Sequence, residues 1–433
     1  MRAESTEVRA ELTEDISILR NGNFKKLWGA QILSQIAGHL LNFALIISVF
    51  ELAQGTRLAN VSVALLILSF GIPSIFFAAA AGVYVDHWNK KKILVISNVV
   101  RGLLILGYIF FDQSLLMVLL LTFLISTATQ FFTPAEAAAM PALVRKNQLL
   151  RANSLFVFTL YASFILGYSS SAPVIAVFGS DGPYIVTFIM FVISTILVAL
   201  LPDIHVKEKA AVPFRRIVRY TGREIRSNWH LIRSSHNLSF PILQLTLTQA
   251  VLGVILALAP AMSLAILGLQ LKDSSHFFII PAGIGMIVGV LSIDWLTKRY
   301  SRTQIIAGGL LIASAALLLL GLVNRLHDAT PGLARYQIGY FVAPLVFMLG
   351  YMNALVSVAA QTVLQENTTD STRGKVFGAL GMMINIAATL PVLFAGILAD
   401  LFGVPGVIAS LALGLLIFSI YQYFRLKKQN KLA

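Results

Sequence analysis

The sequence contains no cysteine and little charge. The absence of Cys among its 433 residues excludes disulfides, thiolate metal sites, Fe–S clusters and cysteine nucleophiles. Charged residues make up 12% of the chain, whereas soluble domains carry about 25%. Apolar residues reach 57%. This balance excludes an ordinary soluble domain and is typical of a protein that crosses a membrane many times.

Acidic residues are also scarce. Asp and Glu number 19 against 33 Lys and Arg, which gives a formal net charge of +14. In a soluble chain this excess would suggest a nucleic-acid partner, but we expect none because the positions of the basic residues suit membrane orientation. The first 26 residues are polar, and no apolar core of a cleavable signal peptide is visible in them.

Long apolar runs are what the chain has in abundance. Crossing about 30 Å of hydrocarbon takes roughly 17–25 apolar residues, and runs of that length predict twelve spans. We expect every span to be a helix, since a helix satisfies its own backbone in lipid. The predicted spans are 27–52, 60–82, 92–111, 114–138, 152–178, 183–201, 240–268, 275–297, 303–323, 336–360, 374–400 and 404–425. Only Asp112 and Gln113 separate the third span from the fourth.

Lys and Arg predict the orientation of these spans. Of the 33, 28 fall in the tails and in the loops on one side, four lie on the other side, and Arg101 lies inside a span. Basic residues concentrate on the cytoplasmic side of membrane proteins. Both termini are therefore expected in the cytoplasm of a multi-pass protein of a bacterial inner membrane, where the basic loops meet anionic lipid.

The spans divide into two groups of six, which predicts an all-α membrane protein of two six-helix bundles. The expected segments are a cytoplasmic tail at 1–26, bundles at 27–201 and 240–425, a basic amphipathic linker at 202–239, and a basic tail at 426–433. The linker fits a helix on the cytoplasmic leaflet, and it fits equally a tether whose charge only enforces topology. Two parallel halves with a site between them are the plan of many secondary transporters.

Four groups of segments carry a resemblance to a known family. They are Asn23–Trp28 with Gln35; the loop Gly82–Lys92; Phe132–Glu136 with Pro141–Val144 and Ala152–Leu155; and Gln365–Glu366 with Arg373–Gly378 and Gly396–Asp400. On these residues the chain resembles the major facilitator superfamily along its whole length. Within that superfamily it is similar to the efflux-type branch of macrolide exporters, siderophore exporters and the lysophospholipid transporter.

The chain also departs from the family pattern. In the loop Gly82–Lys92, His87 stands where the family has a basic residue and Asn89 stands where it has Gly. Because Asn tolerates a left-handed turn, we expect the bend of this loop to survive. Glu136 stands where the branch has Arg or Lys, and Tyr168 follows Gly167 where drug/proton antiporters often have Gly-Pro. The last departure argues against a standard drug/proton antiporter.

The resemblance implies a cytoplasmic latch. In the family, the acid of the loop that corresponds to Gly82–Lys92 pairs with a basic residue and with the N-terminus of span eleven, where the helix dipole favours a carboxylate. Carried onto this sequence, the latch consists of Gly82, Asp86, Lys91, Lys92 and Arg373. The alternative is that Asp86 is a solvated loop acid.

Polar residues inside the spans are candidates for a substrate cavity or for coupling. His39 lies near the middle of span one, and Gln35 and Asn42 share its helical face. Such groups usually face a cavity, and a histidine can carry a proton near neutral pH; a hydrogen bond to a neighbouring helix is the alternative. Further candidates within the spans are Arg101, Gln130, Glu136, Gln249, Asn353, Gln361 and Asn385. For Arg101 a structural role is the favoured alternative, and for the amides of spans seven, ten and eleven it is an interhelical hydrogen bond.

No Asp or Glu lies at mid-depth in the predicted spans. Three options follow: His39 couples transport to protons, a carboxylate near a span end reaches inward, or transport is not coupled to protons.

The sequence predicts no catalytic residue, metal site or cofactor, because it has no metal-spaced His/Asp cluster and no nucleotide-binding or hydrolase motif. The expected function is a secondary active transporter that works as a monomer by alternating access and exports a small amphiphilic or hydrophobic molecule. The alternative of the same fold is a lysophospholipid transporter. A membrane enzyme or channel is the remaining class.

Overall fold

The computed structural model describes residues 18–145, 148–204, 236–268, 275–329, 335–367 and 370–428, and their regular structure is entirely helical. In these residues the helices are α1 Gly22–Ala53, α2 Ala59–His87, α3 Lys90–Phe111, α4 Leu115–Leu143, α5 Leu149–Phe178, α6 Gly182–Ala199, α7 His236–Met262, α8 Ile280–Thr297, α9 Arg302–Ala329, α10 Arg335–Glu366, α11 Asp370–Phe402 and α12 Val404–Lys428. Short π-helical turns, Ser263–Leu267 and Ser275–Ile279, follow α7 and precede α8.

These helices confirm the predicted all-α membrane fold. Within the described residues, 11 helices are long and apolar enough to cross a membrane, and the apolar stretch Phe277–Ile293, which begins in the π-helical turn before α8, is shorter. The break at Asp112 and Gln113 is real, because α3 ends at Phe111 and α4 begins at Leu115. The predicted amphipathic linker helix lies outside the described residues between 204 and 236.

Helix α4 continues past its predicted end. It runs to Leu143 rather than 138, through Pro134 and Pro141. Proline is tolerated in membrane helices where neighbouring groups satisfy the freed carbonyls. Glu136 consequently lies about two turns before the end of the helix, and it is buried.

The chain forms two compact units. The first comprises Met1–Ala44 and Ile72–Tyr220, and the second comprises Leu45–Gly71 and Thr221–Ala433. Each has its own apolar core: residues such as Leu27, Leu94 and Ala135 in the first, and Ile306 and Val376 in the second. The bundle limits of the sequence analysis stay a prediction.

Small residues set the closest helix contacts of the second unit. A Cβ on Gly285 of α8 would lie 2.1 Å from the carbonyl oxygen of Phe347, and one on Gly350 of α10 would lie 2.0 Å from that of Ala282. Helices in lipid associate through this kind of close packing, since no hydrophobic force draws them together there.

Candidate functional site

His39 is packed against an aromatic pair on α5. Its ring meets Phe164 edge-on at 5.4 Å and lies 5.5 Å from Tyr168. Its Nε2 atom is buried and has no hydrogen-bond partner among the described residues. Gln35 and Asn42, the other members of the predicted polar stripe, are half-buried on the same helix.

Helix α5 approaches His39 this closely because residue 167 is glycine. A Cβ on Gly167 would lie 2.4 Å from Cβ of His39 and 2.7 Å from the carbonyl oxygen of Ile36. One turn later, the Ser171 hydroxyl donates to the carbonyl oxygen of Leu40 over 2.9 Å. The sequence Gly167-Tyr168, which departs from the family pattern, therefore builds the wall against His39.

Arg101 is buried between two aromatic rings. Its guanidinium lies 4.1 Å from the ring centroid of Phe132 and 4.6 Å from that of Phe191. Stacking of this kind stabilises a desolvated cation. The same guanidinium donates to Oδ1 of Asn98 and, over 3.4 Å, to the carbonyl oxygen of Ser97.

A hydrogen-bonded chain ties this arginine to two more helices. Asn98 donates to the Ser194 hydroxyl of α6 over 3.0 Å, and Ser194 donates to the carbonyl oxygen of Ala30 on α1 over 3.0 Å. Asn98 and Ser194 were not predicted as site residues. The spacing of Asn98 from Arg101, one turn on α3, was the available signal.

Glu136 is the acid whose charge acts on Arg101. It is 5% exposed, and its Oε1 has no hydrogen-bond partner among the described residues. The first unit thus holds a buried carboxylate and a buried guanidinium, of which the guanidinium is already engaged by rings and amides. Gln130, one of the predicted cavity candidates, donates within α4 to the carbonyl oxygen of Ser126 over 3.2 Å.

The second unit contains an apolar cavity. It encloses about 600 Å³ of empty space, a volume that includes its open mouth. Its lining comes from α7, α9 and α10, with Ala282 of α8 and Leu415 of α12, and none of its described lining residues is charged.

One amide marks this cavity. Asn353 lines it and donates to the carbonyl oxygen of Thr248 across 3.5 Å. The lining hydroxyls of Thr248 and Ser314 donate to carbonyls one turn earlier in their own helices. The wall is therefore apolar except at Asn353. A neighbouring interhelical bond joins Gln244 of α7 to Gln422 of α12.

The remaining predicted residues are spread more widely. Gln249 and Asn385 are half-buried, and Gln361 is exposed. Lys91 is half-buried and Lys92 is exposed. The side-chain positions of Gly82, Asp86 and Arg373 lie outside the described residues, so the cytoplasmic latch stays a prediction.

Two residues next to the predicted latch hold the loop between α2 and α3. Asn89 is extended, with φ −63° and ψ 116°, and its side chain accepts from the backbone N–H of Lys92 as the N-cap of α3. The bend survives by capping and needs no left-handed residue. Lys90 is buried and donates to the carbonyl oxygens of Val85 and Trp88 at the end of α2, where a cation is favoured.

Comparison with known proteins decides the family. The family model described as Major Facilitator Superfamily matches residues 27–343 and 293–432. The chain belongs to the Major Facilitator Superfamily. Its relatives include macrolide efflux protein A of Streptococcus pyogenes, which is 24% identical over 390 residues covering 88% of this chain and 90% of that protein. The MFS-type transporter YfiS of Bacillus subtilis is 24% identical over 398 residues, 90% of either chain.

Solved structures of the superfamily share the fold. A bacterial homologue of the human lysosomal transporter Spinster, in an inward-facing and unoccupied conformation, superimposes with a TM-score of 0.71 at 11% identity, covering 93% of this chain and 96% of that one. The POT family transporter PepTSo gives 0.73 at 10% identity, covering 95% and 99%. The macrolide efflux relative confirms the resemblance to an efflux-type branch, and the family shows that the protein is a multi-pass membrane transporter rather than an enzyme.

Removing Arg101 should expose the cost of burying Glu136. We expect Arg101→Met to lower the free energy of unfolding by about 3–5 kcal/mol, because the carboxylate then lacks its opposite charge. The double variant Arg101→Met/Glu136→Gln should recover most of that loss. Thermal unfolding of the detergent-solubilised protein measures both, with the exposed Arg57→Met as control. Equal losses in the single and the double variant would show that the two charges are not coupled.

Proposed function

We propose that this transporter exports a small amphiphilic or hydrophobic molecule by alternating access, with both termini in the cytoplasm. The observation that carries the proposal is the apolar cavity around Asn353 in a chain similar along 88% of its length to a macrolide efflux protein. A cargo that matches this lining is largely apolar and offers one polar group to the Asn353 amide.

The lining also favours cargo without a charge at this point. An ion moved into an apolar cavity would lose its hydration without gaining a partner, and no described lining residue is charged. Binding therefore rests on removal of apolar surface from water, at about 25 cal/mol per Å², with Asn353 orienting the molecule.

We further propose that export is coupled to protons through Glu136. A buried carboxylate with an unpartnered oxygen can hold a proton when neutral and act on Arg101 when charged. Of the three options for proton coupling that the sequence leaves open, this is the one in which a carboxylate near a span end reaches inward. His39, whose Nε2 is also buried and unpartnered, is the second proton-carrying candidate.

Filling the cavity should stop export. Ala313→Trp places an indole among the lining residues. We expect macrolide tolerance of cells that express it to fall at least about fourfold below that of cells with the parent chain, because the indole occupies the space of the cargo and a fourfold loss of affinity takes only about 0.8 kcal/mol. Leu319→Trp is the matched control, because Leu319 lies on the same helix and is 56% exposed.

Two results would contradict export through this cavity. Unchanged tolerance in Ala313→Trp cells with normal protein levels would remove the cavity from the transport route. Absence of any drug phenotype, together with lysophospholipid uptake by vesicles that contain the chain, would favour the lipid-transporter alternative.

Coupling is tested in proteoliposomes with an imposed pH gradient. We expect the gradient to accelerate transport of a radiolabelled macrolide by the parent chain severalfold. Glu136→Gln should abolish that acceleration, because an amide cannot exchange a proton. Glu51→Gln, which alters an exposed acid of α1, should retain it. Equal transport by the parent chain with and without the gradient would contradict proton coupling.

A further inference from the structure

Asp400, at the end of α11, caps the beginning of α2. Its Oδ1 accepts from the backbone N–H of Asn60 over 3.0 Å and from the side-chain amide of Asn60 over 2.7 Å. Its Oδ2 accepts from the backbone N–H of Val61 over 2.9 Å. Helix α2 begins at Ala59, so these N–H groups belong to its first turn and have no partner within the helix. The carboxylate of another helix thus supplies the cap, where the helix dipole also favours negative charge.

Small residues bring the two helices close enough for this contact. A Cβ on Gly396 would lie 2.7 Å from the carbonyl oxygen of Asn60 and 2.9 Å from Cβ of Ala64. About three turns along α2, a Cβ on Gly71 would lie 2.1 Å from the hydroxyl oxygen of Thr389. The beginning of α2 and the last part of α11 therefore pack closely at both glycines, with Asp400 at the end of the contact.

The sequence repeats this arrangement. Gly396 and Asp400 have the Gly-x-x-x-Asp spacing of Gly82 and Asp86. One pair lies near the end of α11 and the other near the end of α2. In the predicted topology these two ends are on opposite sides of the membrane. In the pair on α11, Gly396 permits the close approach, and Asp400, one turn later, caps the partner helix.

We propose that Asp400 is the extracytoplasmic counterpart of the predicted cytoplasmic latch. It holds the beginning of α2 against the end of α11 when the outer side is closed, and it releases α2 whenever the transporter opens outward. The inference rests on the proposed alternating access. Asp400 is a positioning residue, since its role is to set which side opens.

The chemistry of the contact suits repeated opening. Asp400 is half-buried, so its carboxylate and the N–H groups of α2 can return to water when the helices part. A fully buried ion pair would instead leave desolvated charges behind. Three hydrogen bonds to one carboxylate also give the closed state a defined geometry, because charge-assisted bonds are shorter and stronger than neutral ones.

The distance between the two helix ends tests this role directly. The chain has no native cysteine, so Leu58→Cys and Phe402→Cys, exposed by 59% and 72%, can carry spin labels without other changes. Double electron–electron resonance in lipid nanodiscs should give a dominant short distance for the parent. Asp400→Ala should raise the long-distance fraction at least about threefold, and Asp400→Asn should raise it less because one acceptor oxygen remains.

Asp181→Asn provides the matched control. Like Asp400, Asp181 lies at the N-terminus of a helix, in this case α6, but its side chain makes no capping hydrogen bond. The distance distribution between the labels at 58 and 402 in Asp181→Asn should therefore equal that of the parent. Helix content by circular dichroism identifies folded samples, and Asp400→Asn decides the matter if Asp400→Ala does not fold.

The outcomes separate this inference from the export proposal. The measurement needs no cargo, so a shifted distance in the Asp400 variants supports the latch even if no export is found. An unchanged distance distribution in folded Asp400 variants overturns it, whether or not the chain exports macrolides.

Discussion

Hydrocarbon offers no hydrogen-bond partner, and this constraint governs the placement of polar groups in the protein. Hydroxyls such as those of Thr246, Thr248 and Ser314 donate to carbonyls one turn back in their own helices. Larger polar groups join helices, as Asn98 does through Ser194. Against this background, a buried polar atom without a partner is costly. The Nε2 atom of His39 and Oε1 of Glu136 are two such atoms among the described residues.

Helix ends are the second place where this constraint acts. The loop between α2 and α3 is closed by Asn89, which caps α3, and by Lys90, which binds the last carbonyls of α2. Asp400 performs the corresponding task for the beginning of α2 from a distant part of the sequence. Contacts of this type are strong when formed and can be broken in water, which is what a transporter that changes its open side requires.

The helical membrane fold was predictable from the sequence, because the length of an apolar run is set by the thickness of the membrane. Even the break at Asp112 was visible. The surroundings of the polar residues were not, since they depend on which helices meet. The aromatic rings against Arg101 come from α4 and α6, and Asn60 and Asp400 are 340 residues apart. The repeated Gly-x-x-x-Asp spacing was the sequence signal for Asp400, but its partner could not be inferred from spacing.

The burial of Glu136 shows how a small difference in helix length changes a functional prediction. A span ending at 138 would put this acid at the membrane surface, where water solvates it. The actual helix continues to Leu143, and Glu136 is buried, with Ala135 and Ala139 on either side of it in the first unit's core. Glu136 is therefore a buried carboxylate near the end of α4, and its charge acts on the arginine of α3.

Alternating access, as proposed above, requires the transporter to open to one side of the membrane at a time. A cysteine at Gln35, introduced into this cysteine-free chain alone or together with Leu58→Cys and Phe402→Cys, reports this opening through labelling by a membrane-impermeant maleimide in right-side-out and inside-out vesicles. We expect labelling from either side, with outside labelling lost when Leu58→Cys and Phe402→Cys are first cross-linked. Labelling from one side alone, or outside labelling that survives the cross-link, would contradict it.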